Sequence, residues 1–144
     1  GEKDGSDYYF MSEDKFKSLV EKDEFLEWAK VHNNYYGTPK KYVEENLDQG
    51  EDVILEIDIQ GAHQIKEKYP EGVFIFLLPP SLEELKSRIY QRGTETEKAI
   101  KTRLKNAKKE MGTVEDYDYA IVNDEIKTTV NKLKSIIIAE RCRT

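Results

Sequence analysis

The sequence predicts an α/β fold, a mainly parallel sheet with helices on its faces. Three observations carry this. Residues 53–61 (V-I-L-E-I-D-I-Q-G), 73–78 (V-F-I-F-L-L) and 119–122 (Y-A-I-V) are short apolar runs. Their length and composition suit strands buried on both faces. Between them lie stretches with apolar residues at helical spacing, opened by capping residues and closed by glycine or proline. Strands that alternate with helices, rather than forming blocks, imply parallel connections.

Residues 1–7 are polar and turn-like, and Tyr8-Tyr9-Phe10-Met11 is a short strand candidate. Ser12 is placed to cap a helix, with Glu13 and Asp14 in the first turn, where the dipole favours acids. Phe16, Leu19 and Val20 form its apolar stripe. Phe25, Glu27, Ala29 and Val31 alternate along one face of a strand. Residues 33–37 read as a loop. Thr38-Pro39 reads as a helix start, a cap followed by proline at the first position. Val43 and Leu47 supply that helix's buried side, and Gly50 ends it.

The run at 53–61 is the organising strand. Glu56 and Asp58 sit at i and i+2, so they share one face. Burying a carboxylate without a partner is costly. Two acids near the end of such a strand therefore point to a site there, or to a local ion-pair network. In open α/β sheets, ligands bind beyond the carboxyl ends of the strands. Residues 62–68 read as a short helix closed by Pro70, and Pro79-Pro80 stops the strand at 73–78. Ser81-Leu82-Glu83-Glu84 is a capping box. Its helix faces the core with Leu85 and Ile89 and ends at Gly93. Thr94-Glu95-Thr96-Glu97 is a second capping box, before a helix striped by Ile100, Leu104, Ala107 and Met111. Asp124 is placed to cap a last helix packed through Val130, Leu133, Ile136 and Ile137. No repeat, low-complexity tract or linker interrupts the chain.

With 144 residues there is room for one domain and a real core. Lys plus Arg is 23 against 29 Asp plus Glu, a net charge of −6. That balance argues against a nucleic-acid or anionic-membrane surface, while leaving room for a local phosphate pocket. Cys142 is the only cysteine, so no intramolecular disulfide forms and a reducing, cytoplasmic setting is expected. No apolar run approaches the ~20 residues of a membrane span, and no signal peptide is visible. The chain opens on Gly1 rather than methionine, so it reads as a piece of a longer protein.

Several short motifs occur in order: D-Y-Y-F at 7–10, F-L-E-W-A at 25–29, N-Y-Y-G-T at 34–38 and L-E-I-D-I-Q-G-A at 55–62. P-P-S-L-E-E-L at 79–85, R-G-T-E-T-E at 92–97 and I-V-N-D at 121–124 follow. The ordered set resembles guanylate kinase, the enzyme that moves a phosphoryl group from ATP to GMP. The resemblance runs the length of the chain. It implies a P-loop kinase-like, three-layer fold with a small GMP-binding subdomain and a helical lid. The whole chain is then a single partial domain: about 1–50 the GMP-binding part, about 51–92 and 114–144 the core, and about 93–113 the lid.

The chemistry makes sense of the residue types. Guanine presents two adjacent donors, N1–H and the N2 amine, and a carboxylate accepts from both. By resemblance, Glu27 and Asp58 read the base, and Thr38 sets its hydroxyl near the base carbonyl. Tyr8 and Tyr36 resemble the tyrosines that hold the GMP phosphate, and Gly37 lets the backbone approach the nucleotide. Glu56 matches the first acid of the family's acid-x-acid pattern, near metal and phosphates. Read alone, Glu27 is equally an exposed strand acid, Thr38 a helix cap, and the tyrosines packed aromatics. Arg88 and Arg92 lie four apart on one helix and share a face, and Arg103 lies on the next. The resemblance puts these three as catalytic arginines on and near the lid, stabilising charge on the transferring phosphoryl group. Asn123 matches a position near the ATP base. Mg²⁺ arrives with ATP, since no cluster has the spacing of a protein-only metal site.

A P-loop kinase needs G-x-x-x-x-G-K-[ST] to cradle phosphates, and none of the eight glycines forms it. The chain therefore resembles a guanylate kinase lacking its first P-loop strand and the GMP-phosphate arginines that follow. It is expected to be inactive alone, and unpaired strand edges invite self-association. The alternative is a non-catalytic guanylate-kinase-like module that binds phosphopeptides or nucleotide.

Overall fold

The computed structural model describes residues 10–93 and 96–144. The chain divides after Gly72 into two compact units.

In the first unit, α1 (Glu13–Glu21) is capped by Ser12, whose Oγ accepts from the Lys15 amide at 3.2 Å. α1 buries Phe16. β1 (Phe25–Val31) and β2 (Asn34–Pro39) form an antiparallel hairpin. The turn needs only His32 and Asn33, both at positive φ (50° and 67°). Two such residues are the geometry that matches the twist of a hairpin. Residues 34–37, expected in a loop, are therefore strand: the turn is complete before them, and Tyr35-Tyr36 suits a pleated surface. α2 (Lys40–Asp48) follows directly, with Pro39 at its N-cap and no side-chain cap. Thr38 stays in the strand and does not cap this helix. Gly50, at φ +81°, follows it as expected.

The largest departure concerns the expected central strand. α3 (Ile59–Lys68) takes up the end of the apolar run at 53–61. The six residues before it are neither helix nor strand. From Val53 to Ile57 no backbone hydrogen bond forms among the described residues. A strand needs a ladder partner for its N–H and C=O groups, and no described strand pairs with this one. Asp58 meanwhile suits a helix N-cap: its Oδ1 accepts from the Gly61 amide at 2.8 Å. The apolar pattern survives as alternation, with Val53, Leu55 and Ile57 half-buried and Ile54 81% exposed. α3 lies along the outer edge of β1. Gln64 bonds both the N–H and the C=O of Trp28, and Lys68 Nζ donates to the Phe25 carbonyl at 2.7 Å. Phe16, Phe25, Leu26, Val43, Ala62 and Ile65 form the core of this unit.

In the second unit, β3 (Ile75–Leu78) and β4 (Tyr119–Val122) pair in parallel, from Ile75 opposite Tyr119 to Leu78 opposite Val122. Asp118 zips the start of the pair: its Oδ2 accepts from the Phe74 amide at 2.8 Å, and its own amide donates to the Phe74 carbonyl. The connection contains α4 (Leu82–Arg92), α5 (Glu97–Met111) and a 3-10 turn at Val114–Asp116. Such a crossover is what parallel strands require. Ser81 caps α4 and Gly93 closes it at φ +63°, as the capping box and glycine predict. Thr96 caps α5; Thr94 and Glu95 lie outside the described residues. α6 (Ile126–Arg141) starts one residue later than expected, with Glu125 rather than Asp124 at its N-cap and no side-chain cap bond. The Asp124 carbonyl instead receives a bond from Arg88. Phe74, Ile89, Ile100 and Ile121 are the buried apolar residues here.

Candidate active site

The hairpin register sets Glu27 opposite Thr38. The Thr38 hydroxyl donates to Glu27 Oε1 at 2.6 Å, in a half-buried position. A hydroxyl bound to a carboxylate is a strong, charge-assisted contact that orients the acid. The other oxygen, Oε2, faces α3. A Cβ placed on Gly61 would lie 3.2 Å from Glu27 Oε2 and 3.2 Å from Asp58 Oδ1. One oxygen from each of the two carboxylates thus approaches Gly61 in the first turn of α3. The amides and dipole at the helix N-terminus offset the repulsion between the two acids. Such a pair accepts adjacent N–H donors from a planar ligand.

Glu27, Thr38 and Asp58 are thus brought together by a hairpin register and a helix cap. Gly61 belongs with them and was not among the expected site residues, although it stands in the quoted run L-E-I-D-I-Q-G-A. What marks it is the missing Cβ, whose significance depends on Glu27 lying above it. Gly37 sits under the ring of Phe25: a Cβ there would come 2.8 Å from Phe25 Cδ1 and 3.1 Å from the Glu27 carbonyl. Its small size lets the hairpin pack beside Glu27. Tyr36 lies exposed on β2, opposite Ala29. Glu56 is exposed in the unpaired stretch and makes no hydrogen bond or ion pair among the described residues. Tyr8 lies outside the described residues.

In the second unit, Arg88 and Asn123 meet. Arg88 Nη1 donates to the Asn123 carbonyl at 3.0 Å, Nη2 to the Asp124 carbonyl at 3.4 Å, and Nε to Glu84 Oε1 at 3.1 Å. The guanidinium therefore ties α4 to the end of β4. Asn123 Oδ1 accepts from the hydroxyl of Thr129, a buried polar residue on α6. That bond occupies the carboxamide oxygen of Asn123, so its NH₂ is the donor the group can offer a ligand. Arg92 ends α4 one turn beyond Arg88 and is exposed; Arg103 is exposed on α5. Among the described residues no group of three or more His, Cys, Asp or Glu side chains forms a metal cluster. None of their helices is long and apolar enough to cross a membrane.

Comparison with known proteins decides the family. The family model for guanylate kinase matches residues 1–140. The chain belongs to the guanylate kinase family. It is 61% identical over 142 residues to a guanylate kinase of Clostridium acetobutylicum, covering 99% of this chain and 68% of that protein. It is 57% identical over 143 residues to one from Caldanaerobacter subterraneus subsp. tengcongensis, covering 99% and 69%. Among solved structures, guanylate kinase from Anaplasma phagocytophilum is similar with a TM-score of 0.79 and 41% identity. That match covers 100% of this chain and 70% of the other. The α/β fold is accordingly of the P-loop kinase-like kind, and the family is one of nucleoside monophosphate kinase enzymes.

Proposed function

We propose that this guanylate kinase chain binds GMP through Glu27, Thr38 and Asp58, as acceptor in phosphoryl transfer from ATP. The observation that carries this is the convergence of Glu27 Oε2 and Asp58 Oδ1 on Gly61, with Thr38 orienting Glu27 from the other side. Guanine's N1–H and N2 amine meet these acceptors. Adenine offers no N1–H and carries its amine at C6, so the same acids would face a ring acceptor.

The remaining expected residues take roles by resemblance. Tyr8 and Tyr36 hold the GMP phosphate, Gly37 lets the backbone approach the nucleotide, and Glu56 stands near the metal and phosphates. Arg88, Arg92 and Arg103 stabilise charge on the transferring group. The Arg88 bonds to Asn123 and Asp124 suit it equally to holding the end of β4 in place. Asn123, its carboxamide oxygen held by Thr129, donates from its NH₂ to the ATP base. Mg²⁺ enters bound to ATP oxygens and keeps waters. The working compartment is the cytoplasm. A purely phosphopeptide-binding module has no use for a pair of acids that reads guanine.

The test is calorimetry on GMP and AMP with Glu27→Gln. Affinity for GMP is expected to fall by roughly 1–3 kcal/mol, the scale of one charge-assisted hydrogen-bonding partner. AMP is expected to change little. Equal losses for both nucleotides would remove Glu27 from base reading.

A further inference from the structure

We propose that Gln64 is a positioning residue for guanine recognition: its carboxamide holds Glu27 and Asp58 at their working separation. This rests on the GMP-site reading above and extends it to a residue that touches neither base nor phosphate.

The geometry is specific. Glu27 and Asp58 belong to different elements, the hairpin and α3, so their separation depends on how α3 docks against β1. Gln64 makes that joint. Its Oε1 accepts from the Trp28 amide at 3.1 Å, and its Nε2 donates to the Trp28 carbonyl at 3.0 Å. The Trp28 amide belongs to the peptide plane that joins Glu27 to Trp28. The carboxamide therefore grips the same plane from which the Glu27 side chain springs. On α3, Gln64 lies one turn beyond Gly61, whose amide is bonded by Asp58. One side chain thus links the peptide that carries the first acid to the helix that the second acid caps.

The chemistry narrows the residue type. A carboxamide presents one acceptor and one donor in one plane and so acts as an added peptide on the open edge of β1. A glutamate at this place would keep the bond from the Trp28 amide but set two acceptors against the Trp28 carbonyl. A methionine would keep the volume and lose both bonds. Lys68 binds the Phe25 carbonyl further along the same edge. It holds the start of β1, two residues before Glu27, and leaves the peptide after Glu27 to Gln64.

The experiment titrates GMP, and IMP, which lacks the N2 amine, into the full 144-residue chain. The variants are Gln64→Met, Glu27→Gln and the double variant, each checked for cooperative melting. Gln64→Met is expected to weaken GMP binding about tenfold, as coupling through a shared contact would. It is also expected to shrink the preference for GMP over IMP, and to add nothing further in the Glu27→Gln background. A general structural defect would weaken both nucleotides alike and leave the preference intact. Should Gln64→Met fail to fold, Gln64→Glu keeps the packing and one bond, and the same loss of preference is expected of it. Unchanged GMP affinity in Gln64→Met, an unchanged GMP-to-IMP preference, or additive losses in the double variant would each overturn the proposal. If Glu27→Gln itself leaves GMP binding intact, or the unsubstituted chain binds no GMP, the guanine reading falls first and takes this one with it.

Discussion

Single residues set the geometry of the first unit. Gly37 is one: any Cβ there meets the Phe25 ring at 2.8 Å, against a stacked Phe16–Phe25 pair that cannot easily move. Gly37→Ala is expected to lower stability by about 1–3 kcal/mol, the usual effect of overpacking, read as a fall in the urea midpoint. Asp23 is another. It turns the chain at φ +53°, and its carboxylate accepts from Lys68 and Lys40, both at 3.0 Å. Those hydrogen bonds, Lys68 first, hold its carboxyl below the ordinary 3.8. A lowered folded-state value adds stability that is present above the unfolded value and is lost as pH falls through the folded one. The chain should therefore lose part of its stability as pH drops below about 4, the reference range of an aspartate. Asp23→Asn should flatten that part of the profile. Thermal melts between pH 6 and the acid range, roughly pH 3, compare the two; identical acid limbs would mean that the ion pairs are too solvated to matter.

Among the elements, helices and their stops were easy to read because caps are local. Ser12, Ser81 and Gly93 act within one turn of their own positions, whereas Thr38 and Asp124, expected as caps, stay outside their helices, and α5 is capped by Thr96. The stretch at 53–58 was not easy to read, since a strand exists only with a partner and apolar composition does not supply one. Its amides, from Val53 to Ile57, bond to no backbone carbonyl among the described residues and should exchange rapidly with solvent. The proposed lid is testable in the same way. α5 is rich in lysine, follows Gly93 and buries Ile100, with Leu104, Ala107 and Met111 half-buried. Elements with few buried contacts open at low free energy. Hydrogen exchange is expected to be faster across α5 than across α6, and equal protection would argue against a lid.

For the whole molecule, the central quantity is catalytic competence. Positioning and charge stabilisation supply nearly all of phosphoryl-transfer catalysis. The 144 residues contain no G-x-x-x-x-G-K-[ST], so no backbone cradle and lysine of that kind fix the donor phosphates. Loss of one electrostatic element of this sort commonly costs ~10²–10³ in rate. The 144-residue chain is therefore expected to turn over GMP at least ~10²-fold more slowly than a full-length relative. A coupled assay beside the Clostridium acetobutylicum guanylate kinase would check it. Comparable rates would mean that the chain builds a phosphate site from other residues.

The sequence by itself determined most of the helices, the caps at Ser12 and Ser81, the strands expected at 73–78 and 119–122, and the family, through motifs that keep order and spacing. These are local or cumulative signals, readable one turn or one motif at a time. It also pointed to Glu27, Thr38 and Asp58, but with Thr38 equally readable as a cap and Asp58 as the end of a strand. Only the tertiary structure decided those two cases. The hairpin register turned the Thr38 hydroxyl onto Glu27, and Asp58, with no ladder partner among the described residues, opens a helix. Gly61 and Gln64 were beyond the reach of sequence for the same reason. A missing Cβ and a carboxamide acquire meaning only when a second element, far along the chain, comes to lie against them.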